Sequence, residues 1–489
     1  MPFNSYPYFV FLAAAVLGFR LLEKHALTGR RVFLLLASYA FYAWWRADFL
    51  LLLCGSTLVN YALGREIEQR RSHQRDRRAI LIAGLVFNLG LIATFKYDTL
   101  FMGTADQLLG LGLPIPRFFL PLAISFFTFE QISYLVDADA GKTHGYTLLD
   151  YALFVAYFPH LIAGPIVRHN DLIPQFRQQR GRNDDLATGI TLFTIGLAKK
   201  TLIADNLAPF ADAIFNAAGR GLHLGPTDAW LGTLFFAFQI YFDFSAYSDM
   251  ALGSSVMLGI RLPVNFHSPY KAASIIEFWR RWHISLSAFL RDYLYIPLGG
   301  NRHGRARRYL NLFIAMLLGG LWHGANWTFM LWGGLHGLYL SINHAFRRAT
   351  KDITPAPALR LPLHVASVAL TFAATTLAWI VFRAPDLASA RNVAGGLIGG
   401  GHSAIVSFSP LAAGTLLLLS VIVWFMPNSM ELMWKHRPAL PSPYSDQPVE
   451  PARRLSWNPT PLNAAAYGLV CILAVLALSN LKPFIYFQF

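Results

Sequence analysis

The chain has 489 residues, of which 55% are Ala, Val, Ile, Leu, Met, Phe, Trp, Tyr or Cys and only 14% are charged. A soluble domain carries about 25% charged residues, so this composition excludes an ordinary soluble enzyme and predicts an integral membrane protein. The formal net charge of +15 lies mainly in short segments between apolar runs, which favours contact with membrane lipids and disfavours a nucleic-acid partner.

Apolar runs near bilayer-spanning length recur from end to end of the sequence. They predict an all-α polytopic membrane protein with about 10 to 12 transmembrane helices, because a helix satisfies its own backbone groups in lipid. We expect a single membrane-embedded domain over residues 1–489. The predicted spans are 7–22, 31–45, 49–64, 79–95, 118–137, 186–204, 228–258, 309–322, 325–345, 362–382, 408–426 and 461–480.

The first run, Tyr8 to Leu22, has no lysine or arginine before it and no small-residue cleavage site after it. We therefore expect a retained helix rather than a signal peptide. Its nearest cations, Lys24, Arg30 and Arg31, follow it, so the positive-inside rule predicts an N-terminus outside the cytoplasm. The same rule places the basic segments 65–78, 168–182, 261–308, 347–351 and 431–460 inside, and leaves 97–116 and 205–226 outside.

Two segments are predicted to be irregular or to lie outside the hydrocarbon. Residues 151–166 contain FPHLIAGPI, in which prolines and glycine would interrupt a helix, so a broken or re-entrant segment fits better than a full span. Residues 277–293 predict an amphipathic helix lying in the interface. Its apolar face would carry Phe278, Trp282, Phe289 and Tyr293, and its polar face Arg280, His283, Ser287 and Arg291.

Residues 318–337, LGGLWHGANWTFMLWGGLHG, are almost free of charge and carry His323 and His336. An imidazole in hydrocarbon loses its hydration, so we expect His323 to be uncharged and able to act as a general base. Gly319, Gly320 and Gly324 remove bulk beside it and would admit a thin substrate or a broken helix. The alternative is a histidine that only packs helices together, and we favour that role for His336.

The roles of three other polar residues depend on which groups lie near them in space. His283 alone reads as a solvated or capping histidine, and a functional role requires it to converge with His323 in space. Asp243 and Asp249 lie in an apolar run and need partners, which Arg280, Arg281 or Arg291 could supply in buried ion pairs.

Neither a zinc motif nor a Walker lysine motif is present, so we expect no metal and no bound cofactor. Cys54 and Cys471 lie in separate apolar runs and are interpreted as core thiols, although the sequence leaves a disulfide open.

Several long motifs in the chain resemble the membrane-bound O-acyltransferase family, most closely its branch that O-acetylates bacterial alginate. The similarity is dense over roughly residues 115–345 and looser elsewhere, and it includes the ending FIYFQF at 484–489. The motifs are PLAISFFTFEQISYLVD (121–137), FPHLIAGPIVR (158–168), IYFDFSAYSDMALG (240–253), FWRRWHISLSAFLRDYLYIPLGGNR (278–302) and GGLWHGANWTFMLWG (319–333).

The resemblance implies a multi-helix fold around a tunnel, with His323 as the catalytic residue and His283 as the second family histidine. It also implies a cytoplasmic thioester donor, acetyl-CoA or an acyl carrier protein, and an acceptor hydroxyl used outside the cytoplasm. Arg280, Arg281 and Arg291 are candidates for binding the CoA phosphates. Asn326, backbone amides near Gly324 or a second histidine could stabilise the oxyanion.

The sequence thus predicts an O-acetyltransferase of the bacterial inner membrane that serves an exopolysaccharide such as alginate. Its expected partners are acetyl-CoA or a carrier donor, a periplasmic protein that relays acetyl, and the polysaccharide itself. Two alternatives stay open: a D-alanyl transferase that uses a carrier protein to modify teichoic acid, and a non-enzymatic transporter of polysaccharide or lipid.

Overall fold

The computed structural model describes residues 1–22, 27–110, 112, 118–162, 164–178, 183–399, 405, 409–441, 444, 455–480 and 482–485. Within these residues, regular secondary structure is entirely helical, apart from one isolated parallel bridge between Pro263 and Leu440. Lys24, residues 113–117, 179–182 and 486–489, and all of 442–454 except Tyr444 belong to the sequence predictions but lie outside the described residues.

The N-terminal helices follow the predicted spans closely, with one extension. The fourth span does not end at 95, because a π turn, Ala93–Tyr97, continues it into another helix and contains the half-buried Lys96. The helices are α1 (Tyr6–Leu21), α2 (Leu27–Ala43), α3 (Ala47–Ser72), α4 (Arg78–Ile92), α5 (Asp98–Leu109) and α6 (Ile124–Ala140).

The segment 151–166 is broken, as its prolines predict. Helix α7 (Leu148–Ala156) stops at Tyr157, where ψ is 108°, and a single turn, α8 (Phe158–Leu161), follows before the chain becomes extended. The segment is buried among other helices, which is the setting that irregular backbone at membrane depth requires. His160 pairs there with Glu130 at 3.0 Å. Helix α9 (His169–Phe176) comes next.

A long central helix, α12 (Pro226–Met257), packs against α10 (Asn183–Ala198), the π turn Lys199–Ala204 and α11 (Asp205–Gly219). Asp243 and Asp249, two of the three aspartates of α12, form buried ion pairs, as predicted, but the proposed arginine partners are wrong. Lys200 lies 2.7 Å from Asp243, and Lys199 lies 2.7 Å from Asp249. The lysines supply these pairs because the π turn places them directly against α12.

The interfacial helix predicted for 277–293 is wrong. The chain forms two short helices, α13 (Ile275–Arg281) and α14 (Ile284–Leu290), which are separated at Trp282 and His283 and followed by a π turn, Arg291–Tyr295. Both side chains at the break are buried rather than solvated. Helical periodicity across residues 277–293 therefore does not describe which side chains face water.

The segment instead enters and leaves the protein interior as a re-entrant hairpin. On the way in, Ser274 contacts Arg347 near the end of α16 (Trp327–Ala349), and Trp279 reaches His336 in its middle. On the way out, Phe289 stacks on Phe129 of α6 at 4.2 Å between ring centroids, and the Tyr293 hydroxyl donates to Asp137. His283 therefore lies at the apex of the hairpin.

Helix α15 (Gly304–His323) and α16 form an antiparallel pair in close contact. A Cβ atom at Gly320 would lie 2.2 Å from the Phe329 carbonyl oxygen, so only glycine permits this approach. At Gly324 the corresponding space is taken by the Phe329 ring, and at Gly319 by Leu290. The space beside these three glycines is thus filled by Leu290 and by Phe329 of α16.

The remaining helices are α17 (Pro357–Arg383), α18 (Leu387–Leu397), α19 (Pro410–Phe425), α20 (Ser429–Leu432) and α21 (Pro461–Leu476). Every predicted span overlaps a helix. Among the described residues, four helical stretches are long and apolar enough to cross a membrane, and α1, α19 and α21 are shorter apolar helices. The four are Ala47–Ser72, Arg78–Leu109, Asp184–Gly219 and Pro357–Arg383.

A buried histidine pair as the candidate active site

His283 and His323 are brought together although 40 residues separate them in the chain. Their ring centroids lie 6.4 Å apart, and both residues are buried. His323 is the last residue of α15, and His283 is the apex of the re-entrant hairpin. The convergence on which a functional role for His283 depends is therefore present in the structure.

His283 occupies an unusual backbone conformation. Its φ of 41° and ψ of 54° lie in the left-handed region, which residues with a side chain seldom adopt. Such strain persists only where surrounding contacts enforce it, and it concentrates at functional sites. The neighbouring Ile284 N–H donates to the Asn265 carbonyl oxygen at 3.0 Å, which fixes the apex against the preceding loop.

Asn265 also determines which nitrogen of His283 carries the proton. The backbone N–H of Ser285 and the Ser285 hydroxyl both donate to Asn265 Oδ1, at 3.3 and 2.9 Å. A backbone amide can only donate, so this atom is an acceptor, and His283 Nδ1, 3.1 Å away, must donate to it. His283 Nε2 then holds a lone pair, and it has no hydrogen-bond partner among the described residues.

The His323 imidazole is surrounded by aromatic rings. The rings of Trp332 and Phe382 lie 5.1 and 5.4 Å from it, both nearly perpendicular, and Trp322 precedes it in the chain. Only 5% of His323 is exposed. The His323 ring is therefore nearly enclosed, and aromatic side chains form part of its immediate surroundings.

His336 lies on the far side of Trp332, with 4.8 Å between their ring centroids. Trp279 Nε1 donates to His336 Nδ1 at 3.2 Å, which ties α13 to α16. This bond matches the structural role favoured for His336.

The candidate oxyanion donors are not equivalent. Asn326 caps α16: its Oδ1 accepts from the Thr328 N–H at 3.0 Å, and its Nδ2 donates to the Pro385 carbonyl at 2.7 Å. The amide oxygen is therefore used in the helix cap, and one of the two N–H groups of Nδ2 is used in the bond to Pro385. His283 is the candidate donor whose side chain lies beside His323, and it can donate from Nε2 only when that nitrogen is protonated.

The three arginines predicted to bind the CoA phosphates differ in their surroundings. Arg281 pairs with Glu277 at 2.8 Å, and Arg291 pairs with Asp292 while its guanidinium lies over the Tyr444 ring. Arg280 is exposed. Of the three, Arg280 is the one presented to the surroundings of the protein.

A cavity of about 390 Å³ lies close to the turn that follows His323. Its lining includes Asp386, the residue after Pro385, whose carbonyl binds Asn326. The remaining lining is rich in glycine and polar side chains, including His223, Arg391 and Asn392. This cavity lies between the end of α11 and α18.

Asn265 and Lys96 lie near the histidine pair and are not among the candidate residues named above from the sequence. Asn265 stands in an irregular loop without periodicity. Lys96 directly follows an apolar run of predicted span length, and a charged residue at such a position is a functional candidate by default. That signal identifies Lys96, whereas nothing in the local sequence identifies Asn265.

The sequence of this chain is similar to those of known proteins over most of its length. Residues 50–380, which include both histidines, match the model of the MBOAT, membrane-bound O-acyltransferase family. The probable alginate O-acetylase AlgI of Pseudomonas aeruginosa is 38% identical over 507 aligned residues, covering 94% of this chain and 95% of that protein.

Two further relatives differ in the polymer that their names give. The peptidoglycan O-acetyltransferase of Helicobacter pylori is 42% identical over 421 residues, covering 80% of this chain and 78% of that protein. The teichoic acid D-alanyltransferase of Streptococcus thermophilus is 30% identical over 247 residues, covering 47% and 59%. With a family match over most of its length, the chain belongs to the membrane-bound O-acyltransferase family.

Proposed function

We propose that this membrane-bound O-acyltransferase moves an acetyl group from a cytoplasmic thioester, acetyl-CoA, to a hydroxyl that serves a polysaccharide outside the cytoplasm. His323 is the general base, and His283 assists it. The observation that carries this proposal is the meeting of two buried imidazoles, one of which has a fixed protonation pattern and a lone pair without a hydrogen-bond partner among the described residues.

The chemistry requires one proton to move twice. His323 takes the proton of the acceptor hydroxyl as its oxygen attacks the thioester carbonyl carbon, and the new C–O bond produces a tetrahedral intermediate. The C–S bond then breaks, and the imidazolium returns the proton to the leaving thiolate.

His283 can assist without contacting the acceptor. Its Nε2 lone pair accepts a hydrogen bond or a proton, whereas Asn265 retains the proton on Nδ1. The second imidazole can therefore hold the reacting ring or share its positive charge. This is the chemical use of a histidine whose tautomer is set by a neighbour.

The surroundings support access from two sides. The basic segment 261–308 carries the exposed Arg280, which suits the phosphates of CoA on the cytoplasmic face. The alternation of spans from an N-terminus in the periplasm puts the turn after His323, and the 390 Å³ cavity beside it, on the opposite face. We propose that the acceptor approaches there, either as the polysaccharide or as a periplasmic protein that relays acetyl to it.

Similarity favours an O-acetylase over the D-alanyl transferase alternative. The O-acetylases are matched over 80% to 94% of this chain, whereas the teichoic acid enzyme is matched over 47% at lower identity. Alginate is the first candidate polymer and peptidoglycan the second. The family membership also favours an acyltransferase over the transporter alternative.

Substitution in cells tests the proposal. His323→Ala should reduce acetyl ester on the exported polymer to background, and His283→Ala should lower it strongly, with the membrane-inserted protein present in normal amount. His364→Ala, which changes an exposed histidine of α17, is the matched control and should leave acetylation unchanged. Full acetylation in the His323→Ala strain would refute the proposed mechanism. Purified protein supplied with labelled acetyl-CoA or labelled D-alanyl carrier protein separates the two donors.

A further inference from the structure

Lys96 is half-buried, and its hydrogen bonds reach the end of the helix that carries His323 and the nearby Ser125. Its ammonium nitrogen is 2.5 Å from the Trp322 carbonyl oxygen, 3.3 Å from the His323 carbonyl oxygen and 3.3 Å from the Ser125 hydroxyl. An ammonium group has three N–H bonds, so these three acceptors use its donors completely. Lys96 therefore holds protein atoms and has no donor left for a substrate.

Tyr97, the next residue in the chain, binds one further carbonyl group of α15. The Tyr97 hydroxyl donates to the Leu321 carbonyl oxygen at 2.7 Å. Two consecutive side chains thus bind the last three carbonyl groups of α15, at 321, 322 and 323. The π turn Ala93–Tyr97 contains both residues, and π turns that insert an extra residue into a helix recur at functional sites.

The end of α15 needs such partners. The last carbonyl groups of a helix receive no hydrogen bond from an N–H group of the same helix. At membrane depth little water is present to satisfy them. After His323 the chain becomes extended at Gly324, with φ of −168° and ψ of 157°. The left-handed glycine turn that commonly closes a helix is therefore not used here. Lys96 and Tyr97 take its place.

The same contact joins three parts of the fold. Lys96 stands between α4 and α5, Ser125 is in the first turn of α6, and Trp322 and His323 end α15. The ammonium also lies 5.9 Å from the Trp322 ring centroid. The position of the His323 backbone is thereby fixed from a helix that is 227 residues away in the sequence.

We infer that Lys96 is a positioning residue for His323: with Tyr97, it anchors the end of α15 so that the imidazole points at His283 in a single orientation. This inference rests on the proposed role of His323. Small misplacement of a catalytic group lowers the rate of the chemical step far more than it lowers substrate binding. The lysine should consequently affect turnover and leave the apparent affinities for both substrates nearly unchanged.

Steady-state kinetics of the purified full chain in lipid nanodiscs, with acetyl-CoA as donor and an alginate oligosaccharide as acceptor, test the inference. Lys96→Met keeps the length of the side chain but removes its donors, and we expect kcat to fall about 100-fold while both KM values change less than about threefold. Tyr97→Phe removes one of the anchoring bonds and should lower kcat about tenfold. Lys351→Met, which changes an exposed lysine, should match the wild type.

The outcomes separate a positioning role from a purely structural one. If Lys96→Met folds and keeps its kcat, or if it changes only the yield or the KM values, the inference is overturned. If Lys96→Met does not accumulate in the membrane, Tyr97→Phe decides: an unchanged kcat overturns the inference, and a lowered kcat at constant KM supports it.

His323→Gln, measured in parallel, distinguishes the two proposals. Turnover in His323→Gln refutes the proposed function and, with it, the role of Lys96. An inactive His323→Gln beside a fully active Lys96→Met overturns only the role of Lys96.

Discussion

Two groups of buried polar residues lie in the core, and they differ in how completely they are paired. In the first, Lys200 lies 2.7 Å from both Asp205 and Asp243, and the Ile485 N–H donates to the other oxygen of Asp243, so that the C-terminal segment is attached to α12. In the second, His283 is held on one nitrogen only. Complete pairing indicates a structural role, whereas a fixed group with an available lone pair can do chemistry.

The largest expected effect on folding comes from breaking the fully paired group. Lys200→Met leaves two buried carboxylates without their cation, which should cost about 3 to 5 kcal/mol of unfolding free energy. Thermal unfolding and the yield of membrane-inserted protein measure this loss. Lys351→Met is the control, since that lysine is exposed. If the Lys200→Met protein is as stable as the wild type and has lost only its activity, Lys200 has a catalytic role and complete pairing does not indicate a structural one.

Removing the support of His283 should act mainly on catalysis. Asn265→Leu cannot accept the His283 Nδ1 proton, so the tautomer is no longer fixed, and we expect kcat to fall about 100-fold. Asn265→Asp keeps an acceptor oxygen for His283 but loses the Nδ2 donor to Ser248, and it should retain more activity than Asn265→Leu. Equal kcat values for the two variants would contradict the tautomer argument. Circular dichroism and thermal unfolding confirm that both variants fold.

The contact between α15 and α16 should tolerate no added methyl group at its closest point. Gly320→Ala forces a Cβ atom towards the Phe329 carbonyl, and the resulting shift should cost about 1 to 3 kcal/mol of stability together with part of the activity. Gly334→Ala is the matched control on the same helix pair, because its Cβ would meet its nearest atoms at an ordinary 3.6 Å. Equal stability of the two variants would show that the contact between α15 and α16 relaxes without cost.

The smallest effect is expected at the cap of α18, near the cavity. Asp386 accepts from the Ser389 N–H at 2.7 Å, and this bond holds the pKa of its carboxyl below the ordinary value. Its contribution to stability is therefore present above the ordinary pKa and is lost as the pH falls through the lowered one. Asp386→Ala should cost about 1 kcal/mol at neutral pH, measured by thermal unfolding. A difference that persists at pH 2 would contradict this assignment.

The sequence by itself determined the membrane class, the helical spans, the broken segment after 151 and the family motifs. These features depend on composition and on residues close together in the chain, because hydrophobic length and proline positions act locally. His323 and His283 could also be selected as candidates from their motifs. The distance between the two histidines could not be predicted from the sequence, because it depends on the re-entrant hairpin. The buried aromatic residues of that hairpin have the spacing expected for one face of an interfacial helix.

Only the tertiary structure decided which groups pair. Asp243 takes Lys200 rather than an arginine, Asn265 fixes the His283 tautomer, and Lys96 reaches a carbonyl 227 residues away. Each partner is distant in sequence or stands in a segment without periodicity, so no local pattern identifies it. In a membrane interior a buried polar group must find its partner within the protein, and packing of the helices determines which one is near enough.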